Sequence, residues 1–410
     1  MSSENDPKPT QAVPFVRRRK VFYIPGYDPF HPRRYRELYR KESVLQGEIS
    51  GYNIALKRAE GGGPYGWHVD AKIGGQVVSS DFEVLVWSDI VKETMTQNIP
   101  RTYLMLARTA WTYIGSGAFS RLLKTRKGPM IAALYPIFML TLQLLVACGL
   151  GMVFGNLTSW FLHGWLFAPI FALVLIFTLR GFRKIDNKLF AYYLMHDYAF
   201  SARGSGVIPK LLDARMTQFG DHIAAAFLDD VDEVLVVGHS SGAHLAITVL
   251  ADLIRAGRVP VGGPRLAFLS LGQVVPMVSF LPDAKRLRAD LAYLSAQDAL
   301  TWVDVTAPGD GCAFALCDPV AVSGVAPADK RWPLVISAAF TQTLKPETWK
   351  ALRWRFFRLH FQYLCAFDNP GDYDYFQITC GPLTLADRYR DRAPSKSRIE
   401  TPLSKYITTS

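Results

Sequence analysis

The sequence predicts an α/β protein: a mainly parallel sheet flanked by helices, plus a two-helix insertion apolar enough to span a membrane. Three observations predict it. Short apolar segments alternate with helical ones along most of the 410 residues, the order that places parallel strands beneath connecting helices. Residues 231–250, VDEVLVVGHSSGAHLAITVL, run through a Gly-His-Ser-Ser-Gly turn into a second apolar segment. And no Asp, Glu, Lys or Arg occurs between Gly128 and Leu179.

Taken in order, residues 1–19 read as a disordered basic tail, and 20–127 as the first part of the α/β domain. KVFYIPG (20–26) is a short strand ending in Pro-Gly, and PRRYRELYRKE (32–42) a charged helix. YNIALKRAE, WHVDAKIGG and DFEVLVWSD read as strands of partial alternation, with a turn at Gly61-Gly62-Gly63. Residues 181–386 form the second part of the domain. It is helical to about Leu228, then has strands at 231–238, 264–272, 300–306 and 333–341, with a helix near 284–297. The segment PETWKALRWRFFRLHFQYL reads as helical, and 387–410 as a disordered tail.

The segment 128–180, free of charge up to Leu179, divides at Gly155–Ser159 into two runs, Pro129–Phe154 and Trp160–Leu179. Each is about the ~20 residues needed to cross a bilayer as a helix. Arg121, Lys124, Arg126 and Lys127 precede the first run, and Arg180, Arg183 and Lys184 follow the second. Positive flanks stay on the cytoplasmic side, so both outer ends are expected there, with Trp160 and Trp165 at the far interface. The expectation is a multi-pass protein of a bacterial inner membrane, its globular domain cytoplasmic and the lipid bilayer a partner. The amphipathic segment 101–123 either lies on that bilayer or packs on the sheet.

Composition excludes other classes. The net charge of +11 calls for an anionic partner. The cluster RRRK (17–20) belongs to no recognisable nucleic-acid module, and much of the charge flanks the apolar runs, so nucleic acid is not expected. Five cysteines without a CxxC pair argue against a disulfide framework and a zinc site. No HExxH is present, and GHSSGA lacks GxGxxG spacing, so neither metal nor cofactor is expected. The polar N-terminus carries no signal-peptide core.

The remaining question is Ser240. By composition, G-x-S-x-G arises in roughly one chain of this length in eight, so the weight rests on context. An apolar strand leads in, Gly238 and Gly242 permit a bend that a side chain would block, and a helix rich in small residues leads out. Such a turn lifts a serine hydroxyl clear of the sheet, facing the positive end of the helix. VLVVGHSSGAHLA resembles the nucleophile elbow (Gly238, His239, Ser240, Gly242) of the α/β-hydrolase superfamily of serine esterases, lipases and thioesterases. The resemblance covers 20–90 and about 210–385. It implies a carboxylic ester hydrolase with a nucleophile, acid and histidine in that chain order. Only His244 and His360 follow the serine. His244 sits one turn along the departing helix, and His239 should face away, so His360 is the base. The acid follows the strand before the last, where Asp304, Asp310 and Asp318 compete; Asp310, in the turn APGDG, is the choice. Oxyanion donors are the N–H of Ser241 and, from the loop FYIPGYDPF, that of Tyr27, with Gly26 allowing close approach and Pro25 in place of the family's histidine. Asp28 and His31 read as loop stabilisers. The substrate expected is a hydrophobic acyl ester or thioester; the alternative is a hydrolase-like binding or scaffold protein without catalysis.

Overall fold

The computed structural model describes residues 15–59, 63–95 and 98–410. The expected tail up to Pro14, and most of the Gly61–Gly63 turn, lie outside the described residues. An eight-stranded sheet runs through the molecule in the order β2-β3-β4-β1-β5-β6-β7-β8. Its strands are β1 (Arg18–Ile24), β2 (Asn53–Arg58), β3 (Gly66–Ile73), β4 (Gln76–Val84), β5 (Glu233–His239), β6 (Arg265–Leu271), β7 (Leu300–Thr306) and β8 (Leu334–Ser337). β4, β1 and β5 to β8 pair in parallel, whereas β2–β3 and β3–β4 are antiparallel.

Strand periodicity sorts the core. Along β1, Phe22 and Ile24 join one buried cluster while Val21 and Tyr23 join the other, as alternate side chains must. The long helices are α1 (Arg33–Ser50), α2 (Ile99–Gly115), α3 (Lys127–Phe161), α4 (Phe167–Lys184), α5 (Ala191–Ala202), α6 (Lys210–Ala225), α7 (Ser241–Arg255) and α8 (Lys285–Ser295). α6, α7 and α8 cover the Phe22 face. α1 and the C-terminal aromatics Tyr363, Phe367 and Phe376 cover the Tyr23 face.

Three boundaries differ from the sequence reading. First, the basic cluster begins a strand instead of ending a tail. Arg19 is buried in an ion pair with Glu233 at 2.6 Å, and Arg18 meets Asp230 at 2.8 Å, so acids at and just before the start of β5 pair with these arginines, while Lys20 pairs with Glu83. Second, residues beyond 387 are not a disordered tail. The N–H of Ile399 donates to Leu316 O (2.7 Å), that of Asp318 to Ile399 O (2.9 Å), and that of Leu403 to Val322 O (3.0 Å). Third, the apolar interval does not turn at Gly155–Ser159. α3 continues through those residues to Phe161, and the chain reverses at 162–166.

α3 and α4 are two helices long and apolar enough to cross a membrane. They pack through Ala147, Gly151 and Gly155, buried at a spacing of four. The rings of Phe171 and Phe167 lie directly over the two glycines. The first turns of α3 instead serve the globular part: Met130 is buried in its core, and Tyr103 donates to Leu140 O at 3.0 Å. α2 packs on α5, and its Tyr103 and Leu106 meet Leu140 of α3; it buries Thr102, Thr109 and Tyr113 while Leu104, Trp111 and Ile114 stay exposed.

Candidate active site

β5 delivers the chain to Ser240 at φ 56° and ψ −123°, a positive φ that non-glycine residues adopt at a cost of roughly 1–3 kcal/mol. The surroundings over-determine it. The N–H of Ser240 donates to Leu271 O at 2.9 Å, at the end of β6. A Cβ on Gly238 would stand 2.8 Å from Ala243 Cα, and one on Gly242 would overlap the Ile24 carbonyl oxygen. Both glycines are therefore steric requirements of the bend. α7 starts at Ser241, so the hydroxyl sits at its N-terminus.

The loop after β1 lies against the serine: a Cβ on Gly26 would come 3.3 Å from Ser240 Oγ. Trp87 Nε1 donates to Pro25 O at 2.9 Å, and Tyr193 of α5 donates its hydroxyl to Tyr27 O. Among the described residues no acceptor takes the N–H of Tyr27 or of Ser241. Asp28 takes hydrogen bonds from the Phe30 N–H and Tyr35 hydroxyl and pairs with Arg34, and His31 accepts from the Arg33 N–H. These two hold the loop.

His360 ends the short helix α9 (Phe356–His360), one of three pieces into which the expected helix 346–364 is broken. Its Nδ1 lies 2.7 Å from Asp310 Oδ2, which also accepts from the Tyr363 hydroxyl at 3.0 Å. Asp310 Oδ1 accepts the N–H of Cys312 at 2.9 Å. Burial alone would raise the Asp310 carboxyl, but the imidazole of His360 and these donors outweigh it and hold it below the ordinary carboxylate value. The other two acids are engaged elsewhere. Asp304 accepts from Ser270 inside the sheet, and burial pushes it up to about 8. Asp318 caps a helical turn and pairs with Lys330 at 2.7 Å.

His360 Nε2 is buried and has no hydrogen-bond partner among the described residues; in particular, no bond joins it to Ser240. Its ring lies at the end of β6, where a Cβ on Gly272 (φ 54°) would come 3.0 Å from His360 Cε1. Ser240, Asp310 and His360 thus converge on the C-terminal ends of the parallel strands, where ligands of open α/β sheets bind.

Three contributors escaped the sequence reading. His239 does not face away: its Nε2 lies 3.0 Å from His360 O, and the two rings are 4.8 Å apart. Burial, and then the neighbouring His360, push it down to about 3, so it is neutral and donates to that carbonyl. Tyr363, three residues past His360, holds both Asp310 and the N–H of Ala307 (3.0 Å). Asp197 of α5 is pushed up to about 7 by burial, the charge of His360 opposing the shift. A lone acid in the aromatic stretch YYLMHDYAF was the available signal for Asp197; nothing local marked His239.

Asp310, Cys312 and His360 bring three possible metal-ligand atoms within 4.8 Å of one another. The donor set suits a metal poorly: His360 Nδ1 already binds the carboxylate, and burial pushes the Cys312 thiol far above its ordinary value.

A family model described as "Alpha/beta hydrolase family" matches residues 161–400, more than half of the chain. The chain belongs to the alpha/beta hydrolase family. Neither the curated proteins nor the solved structures gave a match. In this alpha/beta hydrolase the matched span holds Ser240, Asp310 and His360, with β5 to β8, and leaves β1 to β4 outside.

Proposed function

We propose that this alpha/beta hydrolase is a membrane-anchored serine hydrolase that cleaves a carboxylic ester or thioester, with an acyl or lipid substrate, through an acyl-serine intermediate. The observation that carries the reading is the His360–Asp310 pair standing beside a serine held at positive φ.

Asp310 accepts from His360 Nδ1–H and so leaves the lone pair on Nε2. Ser240 Oγ attacks the carbonyl carbon as its proton passes to Nε2. The oxyanion is held by the N–H groups of Ser241 and Tyr27, with Gly26 leaving room for it. Collapse of the intermediate breaks the bond to the alcohol or thiol, which takes the proton from Nε2. Water repeats the sequence, its proton moving to Nε2 and then to Ser240 as the acid leaves. Catalytic hydrogen bonds are often long or poorly aligned until substrate is in place, so the reading does not require a Ser240–His360 bond here. The missing bond favours a second reading, a binding module without turnover.

The membrane part of the proposal rests on α3 and α4. From Leu140, where Tyr103 marks its departure from the globular part, α3 runs about 33 Å to Phe161, close to the ~30 Å of a bilayer core. Exposed Trp160 and Trp165 stand at the far end. Both roots of the hairpin touch the site: Gly128 packs on Gly311 beside Asp310, and α5 places Tyr193 on Tyr27. An acyl chain leaving the bilayer there meets Phe190, Phe357 and exposed Phe356. The basic flanks support a cytoplasmic position for the α/β domain at a bacterial inner membrane.

Hydrolysis of p-nitrophenyl esters of graded chain length by the detergent-purified chain tests the reading. Turnover that rises with chain length and vanishes in Ser240→Ala supports it. No turnover by the folded wild type at any length supports the binding module.

A further inference from the structure

One face of α5 is built onto the loop that carries Tyr27. Tyr193 donates its hydroxyl to Tyr27 O, and its ring stands 6.3 Å from the Tyr27 ring. The Phe200 ring lies 5.5 Å from the same ring. Asp197 comes four residues after Tyr193 and three before Phe200, the spacing that puts all three on one side of a helix. Its carboxyl therefore points at the same loop. The charge of His360 acts on Asp197, and that of Asp197 acts on the Cys312 thiol and the Tyr198 hydroxyl, so these groups border one space beside the triad.

Asp197 is more than half buried, yet among the described residues neither of its oxygens takes a hydrogen bond, and both keep accessible surface. The buried acids Asp28, Asp304, Asp310, Asp318 and Asp374 all accept from protein donors. Tyr198 stands apart in the same way. The hydroxyls of Tyr27, Tyr113 and Tyr193 are bonded to Thr94, Met277 O and Tyr27 O, whereas that of Tyr198 has no partner among the described residues and stays accessible.

The chemistry of the pair selects its ligand. Burial pushes Asp197 up to about 7, so near neutral pH the carboxyl both accepts and donates, and the Tyr198 hydroxyl can do either. A ligand hydroxyl also does both, and so satisfies the pair in either protonation state. An ammonium group would instead oppose the imidazolium that forms on His360 during acyl transfer. Position along α5 decides which half of the ester carries the hydroxyl. Phe190 and Tyr193 pack on Phe357, the aromatic wall open to an acyl chain. Asp197 lies one turn beyond Tyr193, roughly 6 Å further along the helix. With the acyl chain on the wall, the alcohol half is left for Asp197.

We propose that Asp197 and Tyr198 bind a free hydroxyl on the alcohol half of the substrate, which is then an acyl ester of glycerol or another polyol, cleaved beside an unesterified hydroxyl. The assignment rests on the serine-hydrolase reading of Ser240, Asp310 and His360, and specifies its substrate.

The test compares 1-octanoylglycerol with propyl octanoate, which lacks both hydroxyls, measuring octanoate released by the detergent-purified full chain. The quantity read is the ratio of the two kcat/KM values within one protein, so a general loss of activity cancels. The wild type is expected to favour the glycerol ester at least about ten-fold. Asp197→Leu should abolish the preference, and Tyr198→Phe should lower it about three-fold. No preference in the wild type, or one that survives Asp197→Leu, would overturn the subsite. If Asp197→Leu does not fold, Tyr198→Phe carries the test, and an unchanged ratio refutes the pair. Faster hydrolysis of 3-(trimethylammonio)propyl octanoate than of the glycerol ester would also overturn it, assigning Asp197 to a cation. p-Nitrophenyl octanoate separates the two readings. Its Ser240-dependent turnover without any preference for the glycerol ester refutes the polyol subsite alone. A folded wild type that turns over none of these esters refutes the serine-hydrolase reading and the subsite with it.

Discussion

Replacing Asp310 by Asn keeps the shape of the side chain and reverses its hydrogen bonding. Oδ1 accepts the N–H of Cys312, so the Asn oxygen must occupy that position. The amide nitrogen then takes the place of Oδ2, facing His360 Nδ1 and the Tyr363 hydroxyl. It can only donate, so Nδ1 becomes an acceptor and the imidazole proton moves to Nε2. A ring protonated at Nε2 cannot take the serine proton, and the carboxylate that would stabilise the imidazolium is gone as well. The combined loss is about 10³–10⁴-fold in kcat/KM, about 4–5 kcal/mol of transition-state stabilisation. The assay is steady-state hydrolysis of a p-nitrophenyl ester, with Ser240→Ala as the background. Tyr363→Phe is the control: it removes one of three bonds to Asp310 and leaves the carboxylate, so about a ten-fold loss or less is expected. An Asp310→Asn rate within ten-fold of wild type would refute the tautomer argument.

Other consequences concern strain and protonation. Ser240→Gly relieves the positive φ and should raise stability by about 1–2 kcal/mol over Ser240→Ala in thermal unfolding, both being inactive; equal stability would show that the turn is unstrained. Burial raises Asp197 to about 7, so it gains its negative charge near His360 as pH rises through that value. Asp197→Asn should remove a step near pH 7 from the pH–rate profile, while an unchanged profile would separate Asp197 from the site. Asp304 has its folded-state pKa raised to about 8, so it contributes stability fully present below about 4 and lost as pH rises through 8. Asp304→Asn should flatten the dependence of unfolding temperature on pH across that window, and an unchanged slope would contradict the protonated, buried carboxyl.

The parts visible in the sequence are those that local chemistry dictates. Short apolar runs marked β5 to β8, and Gly238 and Gly242 had to be small because backbone lies within reach of any Cβ. The turn at the end of β7 singled out Asp310 among three acids, and Asp310 is the one that pairs with His360, across 50 residues. What stayed hidden depends on pairings between distant segments. RRRK looked like a tail because Glu233, its partner at Arg19, lies 214 residues away. The last residues looked free because their hydrogen bonds go to the 316–322 segment. Glycine and asparagine at 155–156 suggested a turn, yet small residues there serve helix packing against Phe167 and Phe171, and the reversal moved to 162–166. His239 was assigned by the geometry of the elbow alone, without the loop of His360 that folds over it.

The most direct test of the central claim is labelling of the full chain in membranes with a fluorophosphonate probe, followed by mass spectrometry of the labelled peptide. The account predicts a covalent adduct on Ser240, abolished in Ser240→Ala and slowed in Asp310→Asn. A folded wild-type chain left unlabelled, under conditions that label a known serine hydrolase in the same membranes, would contradict it.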